Sequence, residues 1–117
     1  MNNCRVKFSD ILNVIPGEIV AKGRNFASVD ILQAVVSDMM SEVLTTDKDD
    51  ILLLTQLSSA QVVRTADSVG AIGIIVVNGT PIQAGVKELA EDLGLTILRT
   101  TLPGFEACVA LGKLLNK

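Results

Sequence analysis

Short apolar runs alternate with longer amphipathic stretches along this chain, a pattern typical of a sheet covered by helices. Four runs rich in Ile, Val and Leu predict strands buried on both faces, at 31–36, 51–54, 72–77 and 96–98. A shorter strand is predicted at 18–21, ahead of a polar loop at 22–28. Apolar residues at helical spacing predict helices at 6–15, at 82–93 and from Pro103 onward.

Side chains suited to capping mark three helix starts, the last of them that of the helix at 82–93. Ser37 precedes a helical stretch at 38–44, where its oxygen can accept a free amide hydrogen. The segments 58–61 and 80–83 both fit a capping box, in which the first and fourth side chains satisfy each other's backbone donors. Pro81 suits the first helical position after Thr80, since its missing N–H has no partner there. We therefore predict helices that begin close to these residues.

Strands and helices in alternation, with short connections, favour parallel pairing through right-handed crossovers. We therefore expect an α/β fold with a central, mostly parallel sheet of about five strands flanked by helices. The 117 residues suit one domain, which would cover 1–117.

Aromatic and basic residues are both too sparse for a nucleic-acid interface. Phe8, Phe26 and Phe105 are the only aromatic residues, and single-stranded bases need aromatic rings on which to stack. The net charge is -3, and the Lys and Arg residues are scattered rather than clustered. A duplex-binding face needs clustered positive charge, so no nucleic-acid partner is expected.

Cysteine usage and hydropathy exclude several other classes. Cys4 and Cys108 are isolated and histidine is absent, so no metal site is predicted. Cys108 lies in an apolar helical stretch and is interpreted as a small core residue. The charge run at 47–50 is interpreted as a solvated turn, because it lacks the spacing of a calcium loop. Neither a signal peptide nor a membrane-spanning run is found, so we expect a cytoplasmic protein without a membrane partner.

The candidate binding residues follow the predicted strands, because ligands of open parallel sheets bind beyond the carboxyl ends of the strands. Every one of these ends is polar, and together they could surround a small crevice. The candidates are Ser37, Asp38, Thr55, Gln56, Asn78, Gly79, Thr80, Arg99, Thr100 and the neighbouring Thr101.

The turn at Asn78, Gly79 and Thr80 is a candidate anion site. It joins a buried strand to a predicted helix start, where free backbone N–H groups and the positive helix end could hold a phosphate. Arg99 could supply a second positive contact. The alternative interpretation is an ordinary Asn-Gly turn in which Thr80 serves only as a cap. No phosphate-loop or dinucleotide motif is present, and no cofactor is expected.

Catalysis is not supported by the residues available. Without histidine the usual general base is missing. The adjacent Ser37 and Asp38 are interpreted as a helix cap rather than a catalytic pair. Asp38 is the only titratable group in the expected crevice that could serve a small enzyme.

Four segments carry a resemblance to a known family, at 35–44, 50–56, 74–80 and 96–100. In these segments the chain resembles the DRTGG domain, and the resemblance covers nearly its whole length. It implies a fold like the N-terminal domain of HPr kinase/phosphorylase, and a regulatory or dimer-forming module without known catalysis. The family's Asp-Arg would follow the third strand, where this chain has Gln-Leu-Ser-Ser at 56–59 and the pair is missing. Its Thr-Gly-Gly would follow the fourth strand, where this chain has Asn-Gly-Thr at 78–80 and keeps one glycine.

Three functions stay open from the sequence. The first is a non-catalytic regulatory homodimer that binds a small anionic or nucleotide-like ligand in the crevice. The second is a pure interaction module, without a ligand, that regulates a metabolic or kinase-like partner enzyme. The third is a small enzyme using Asp38. A dimer surface is expected on the helix at 38–44 and the loop at 22–28, with Met39 and Met40 as adaptable contacts.

Overall fold

Helices and strands alternate along the residues that the computed structural model describes, 6–24, 26–45 and 50–115. Cys4 and residues 47–49 of the predicted charged turn lie outside these ranges. The elements in chain order are α1 (Phe8–Val14), β1 (Gly17–Ala21), β2 (Gln33–Val36), α2 (Met40–Leu44), β3 (Ile51–Thr55), α3 (Ala60–Ser68), β4 (Gly73–Val76), α4 (Val86–Leu93), β5 (Thr96–Thr100) and α5 (Gly104–Leu115).

The strands form one sheet in the order β1-β5-β4-β3-β2. Strands β2 to β5 are parallel neighbours in chain order, and β1 pairs antiparallel with β5, opposing Gly17 to Thr100. The predicted α/β fold with a mostly parallel sheet of five strands is thus confirmed. Because each crossover moves one strand in the same direction, crossovers of one hand carry α2, α3 and α4 to the same face.

Two hydrophobic cores lie on opposite faces of the sheet, because successive strand residues point to opposite sides. On one face, Leu53 and Ile74 pack with α2, α3 and α4. On the other, Leu54 and Ile75 pack with α1 and α5. Strands β3, β4 and β5 are buried on both sides, which explains why they appear in the sequence as continuous apolar runs, whereas the edge strands β1 and β2 are partly exposed.

Helix α4 spans Val86–Leu93, so the predicted helix and its end before Gly94 are confirmed, but its predicted start after Thr80 is wrong. Contacts distant in sequence hold the intervening segment out of helical conformation. The Ser58 hydroxyl donates to the Pro81 carbonyl at 2.7 Å, and the Gln83 N–H donates to the Ser58 carbonyl at 3.4 Å. Gly85, with a φ of 85°, then turns the chain into the helix.

The capping side chains also differ from prediction at α2 and α3. Ser59, not Ser58, is the N-cap of α3, and no side chain caps that helix. Helix α2 begins at Met40 rather than 38. Ser37 precedes it, accepting from the Met39 N–H at 3.0 Å and donating to Glu42 at 3.0 Å, so its predicted role as N-cap is wrong. Helix α3 begins at Ala60, one residue later than a cap at Ser58 would place it, and its capping box is not formed.

Across the three described ranges, no helix is both long and apolar enough to cross a membrane.

Candidate functional site

Polar side chains at the ends of β2 and β3 converge on the carboxylate of Asp38. Its Oδ1 accepts from the Thr55 hydroxyl at 2.7 Å and from the Gln56 backbone N–H at 2.9 Å. Its Oδ2 accepts from the Gln56 side-chain amide at 2.8 Å. Because β2 and β3 are parallel neighbours, their carboxyl ends bring these groups together at one edge of the sheet.

The same chain of hydrogen bonds continues to the first turn of α5. The Asn78 amide donates to the Gln56 Oε1 at 3.0 Å, and the Gly104 N–H donates to the Asn78 Oδ1 at 3.1 Å. Asn78 holds a φ of 63°, a left-handed conformation that Asn tolerates better than most residues. We call Asp38, Thr55, Gln56, Asn78 and Gly104 the Asp38 network.

The network keeps Asp38 ionised. Burial by itself raises the pKa of this carboxyl group. The hydrogen bonds from the Gln56 backbone, the Thr55 hydroxyl and the Gln56 side chain outweigh burial and leave the pKa below its ordinary value. The site therefore carries a negative charge at neutral pH.

A small cleft of about 110 Å³ lies against the Asp38 network. Its lining combines polar side chains, among them Asp38, Gln56 and Asn78, with apolar ones. The apolar lining is formed by Val36, Leu54, Val77 and the half-buried Cys108. Cys108 packs at the border of the core, so its predicted role as a core residue holds in part, and its partial exposure in the cleft is new.

Arg99 lies in a second cluster and turns its guanidinium group to backbone carbonyls. Nη2 donates to the Gly79 carbonyl at 2.7 Å, and Nε donates to the Thr80 carbonyl at 2.9 Å. Nη1 lies 3.4 Å from a Glu18 carboxylate oxygen. The neighbouring hollow, of about 300 Å³, is lined by Arg99 and Glu18 together with Pro16, Gly17 and Thr101.

The expected anion cradle at the 78–80 turn is wrong, because its backbone donors are already engaged. The Asn78 N–H donates to the Leu102 carbonyl at 2.8 Å, and the Gly79 N–H to the Thr100 carbonyl at 2.9 Å. The Thr80 N–H and its hydroxyl both donate to the Val77 carbonyl. No helix begins here, so the positive helix end that was expected is absent.

Eight of the ten predicted binding residues separate into two groups. The structure brings together Asp38, Thr55, Gln56 and Asn78, whereas Gly79, Thr80, Arg99 and Thr101 lie in the second cluster. The other two residues belong to neither group. Buried Thr100 donates through its hydroxyl to the Pro16 carbonyl, and Ser37 bonds Glu42 instead of lining the cleft.

Sequence reasoning missed the contribution of α5, whose Gly104 and Cys108 line the cleft. A signal was present: this helix begins at the carboxyl end of β5, so its first turn must lie at the same edge of the sheet. The sequence spacing did not reveal that the Gly104 N–H would donate to the Asn78 side chain.

No protein-family model matches the sequence, and no curated protein matches it. Among solved structures, the chain is similar to the regulatory region of Clostridium perfringens pyrophosphatase, with its CBS and DRTGG domains, crystallised with the activator diadenosine tetraphosphate. The TM-score is 0.72 and the sequence identity 18%, over 92% of this chain. The match spans 46% of the pyrophosphatase chain, somewhat less than half its length. The likeness shows a shared fold and supports the α/β assignment made from the sequence.

Proposed function

We propose that this chain is a non-catalytic regulatory domain of the DRTGG kind, a single cytoplasmic domain that binds a nucleotide-like ligand in the cleft beside Asp38. The observation that carries the proposal is the fold, shared over 92% of the chain with the regulatory region of an enzyme crystallised with a nucleotide activator. The cleft lies at the carboxyl edge of the parallel sheet, the usual position of ligands in such folds.

The chemistry of the cleft favours the neutral part of such a ligand, its base or ribose. The Asp38 carboxylate would repel a phosphate group. Gln56 and Asn78 each use one amide hydrogen within the network, which leaves the second of each for a ligand. A carboxylate acceptor and two amide donors in a cleft that also has apolar lining match a flat heterocycle that both donates and accepts hydrogen bonds.

The same geometry supports the absence of catalysis. A general base works best with a pKa close to the working pH. The hydrogen bonds to Asp38 lower its pKa instead, so its carboxylate is a weak base at neutral pH.

The test is a thermal-shift measurement with adenosine, adenosine monophosphate, diadenosine tetraphosphate and inorganic phosphate. A ligand at a hundred times its dissociation constant adds about 2.7 kcal/mol of apparent stability. We expect adenosine to stabilise the wild type and the exposed control Asp92→Asn, and to stabilise Asp38→Asn less. A shift with phosphate alone that survives in Asp38→Asn would place binding elsewhere, and no shift with any compound would contradict ligand binding.

Cys108 provides a second readout because its side chain lines the same cleft. In a Cys4→Ser background, a ligand held beside Asp38 should slow alkylation of Cys108 by iodoacetamide. The protection should weaken in Asp38→Asn. A stabilising ligand that leaves the alkylation rate unchanged would bind at another place.

A pure interaction module is the second candidate, and one observation favours it. The Phe105 side chain is 80% exposed on α5, beside other exposed apolar residues. The dimer surface expected from the sequence, on the helix at 38–44 and the loop at 22–28, is partly engaged in packing within the chain. In the 22–28 loop, Phe26 stacks on Phe8, and Met40 packs at the core border, although Met39 is exposed. Association with a second copy or with a metabolic or kinase-like enzyme would then be the whole function.

A further inference from the structure

Helix α5 exposes an apolar side that the rest of the described chain leaves uncovered. Its only charged residues are Glu106 and Lys113. Phe105 and Val109 are 80% and 42% exposed, and Val14 at the end of α1 is 44% exposed. Together these residues border a groove of about 430 Å³. We call it the outer groove; it is lined by Val14, Phe105, Glu106, Val109, Ala110, Lys113 and Leu114.

The α5 residues of the outer groove form two parallel ridges. One ridge contains Phe105, Val109 and Lys113, and the other contains Glu106, Ala110 and Leu114. Side chains four residues apart form such ridges on any helix. When ridges of this type pack into the grooves of a second helix, the axes cross at about −50°. The ridges and the grooves between them therefore have the geometry that packing against a second helix requires.

The α5 residues of the outer groove follow an order that is symmetric about its midpoint: apolar, charged, apolar, apolar, charged, apolar. The two charged residues, Glu106 and Lys113, have opposite signs. A two-fold axis passing between Val109 and Ala110 would pair these two residues with each other across the interface. The same axis would pair Glu106 with Lys113 and Phe105 with Leu114. In a two-fold dimer each contact between different residues occurs twice, so both charges of each helix would meet an opposite charge.

We propose that the outer groove is the interface of a homodimer in which α5 packs antiparallel against α5 of a second copy. Charge complementarity favours a second copy over an unrelated partner. Both Glu106 and Lys113 are exposed, and neither has an ion-pair partner among the described residues. Four apolar pairs, two between Val109 and Ala110 and two between Phe105 and Leu114, would bury the exposed apolar side of α5, and the two charge pairs would lie between them. The inference deepens the interaction alternative given above by naming the occupant and the packing of this surface, and it does not depend on any ligand.

The experiment is sedimentation equilibrium, without ligand, from the low micromolar to the millimolar range. We expect the wild type to dimerise. Glu106→Lys and Lys113→Glu should each raise the dimer Kd about tenfold, because two-fold symmetry places every reversal in the interface twice. The double variant Glu106→Lys with Lys113→Glu restores both opposite-charge pairs, so its Kd should return close to the wild-type value. Phe105→Asp should abolish the dimer.

The matched control is Glu88→Lys, which also removes an acidic residue from the first turn of a helix, but on α4 at the opposite face of the sheet. Its Kd should stay at the wild-type value, and circular dichroism should show the same helix content in every variant. A wild type that remains monomeric up to millimolar concentration would overturn the proposal. A dimer that tolerates Phe105→Asp would place the interface elsewhere. A double variant as weak as the single ones would overturn the antiparallel arrangement.

Discussion

The Thr55 hydroxyl at the end of β3 donates a 2.7 Å hydrogen bond to the Asp38 carboxylate beyond β2. This contact ties the ends of two adjacent parallel strands. Through Gln56 and Asn78 it continues to the first turn of α5. The candidate cleft and the helix of the proposed dimer interface are therefore joined by one set of hydrogen bonds.

Stability should depend on the ionisation of Asp38. Its pKa is lower in the folded chain than in the unfolded chain, because the network donates to the carboxylate. The unfolded state therefore binds more protons at low pH. The stabilisation is fully present above the unfolded pKa and is lost as the pH falls through the folded pKa. Its size is reduced by solvent, since Asp38 is exposed.

Urea unfolding between about pH 6 and pH 3 measures this dependence. The wild type should lose more of its free energy of unfolding over this interval than Asp38→Asn, whose side chain does not titrate. Asp92→Asn serves as control and should follow the wild type. Parallel curves for the wild type and Asp38→Asn would contradict the assignment.

Asn78 combines a left-handed backbone with two side-chain hydrogen bonds, and two substitutions separate these effects. Asn78→Gly removes the bonds to Gln56 and Gly104 but keeps a residue that accepts the φ of 63°. Asn78→Ala removes the same bonds and adds a strained backbone. We expect the Ala variant to be about 1 kcal/mol less stable than the Gly variant in chemical denaturation. Equal stabilities of the Gly and Ala variants would show that the backbone at residue 78 relaxes to a conformation that Ala adopts without strain.

Gly73 is required by close packing at the start of β4. A Cβ atom there would lie 2.6 Å from Cζ of the buried Phe8 ring and 3.2 Å from the Thr96 carbonyl oxygen. Gly73→Ala should therefore cost about 1–3 kcal/mol of unfolding free energy. At Gly104 the nearest atom, of Val77, would be 3.7 Å away, so Gly104→Ala should be neutral or slightly stabilising. The cost at Gly73 should shrink in a Phe8→Leu background; an unchanged cost would remove Phe8 as its cause.

Phe8 and Phe105 should respond in opposite ways to the same truncation. Phe8 is fully buried and stacks on Phe26 with ring centroids 5.4 Å apart, so Phe8→Ala should cost about 3–5 kcal/mol. Phe105 is 80% exposed, so Phe105→Ala should change the stability of the monomer by less than about 0.5 kcal/mol. Both values come from urea unfolding at low micromolar protein. A large loss for Phe105→Ala would mean that its ring packs within the monomer.

The central strands β3 and β4 were predictable because they are buried on both faces. Burial of Ile51–Thr55 and Gly73–Val76 requires continuous apolar runs, and the sequence shows such runs at both places. The start of α4 was not predictable. Thr80 and Gln83 have the spacing of a capping box, but Ser58, which lies before α3, hydrogen-bonds to Pro81 and Gln83. A local motif of about 1 kcal/mol gives way when distant hydrogen bonds hold the same residues.

The candidate site shows the same division. Polar residues at the carboxyl ends of the strands follow from the sequence, because parallel strands bury their middles and leave their ends to solvent. Which of them meet was decided by the tertiary structure. Asp38 joins Gln56 because β2 lies beside β3, and Arg99 turns away because Glu18 and the carbonyls of 79 and 80 lie within its reach. The sequence by itself determined the strands, their order along the chain and the polar edge. Contacts between residues far apart in sequence decided where α4 begins, which donors are engaged and where the cleft lies, because hydrogen bonds of that kind depend on positions in space.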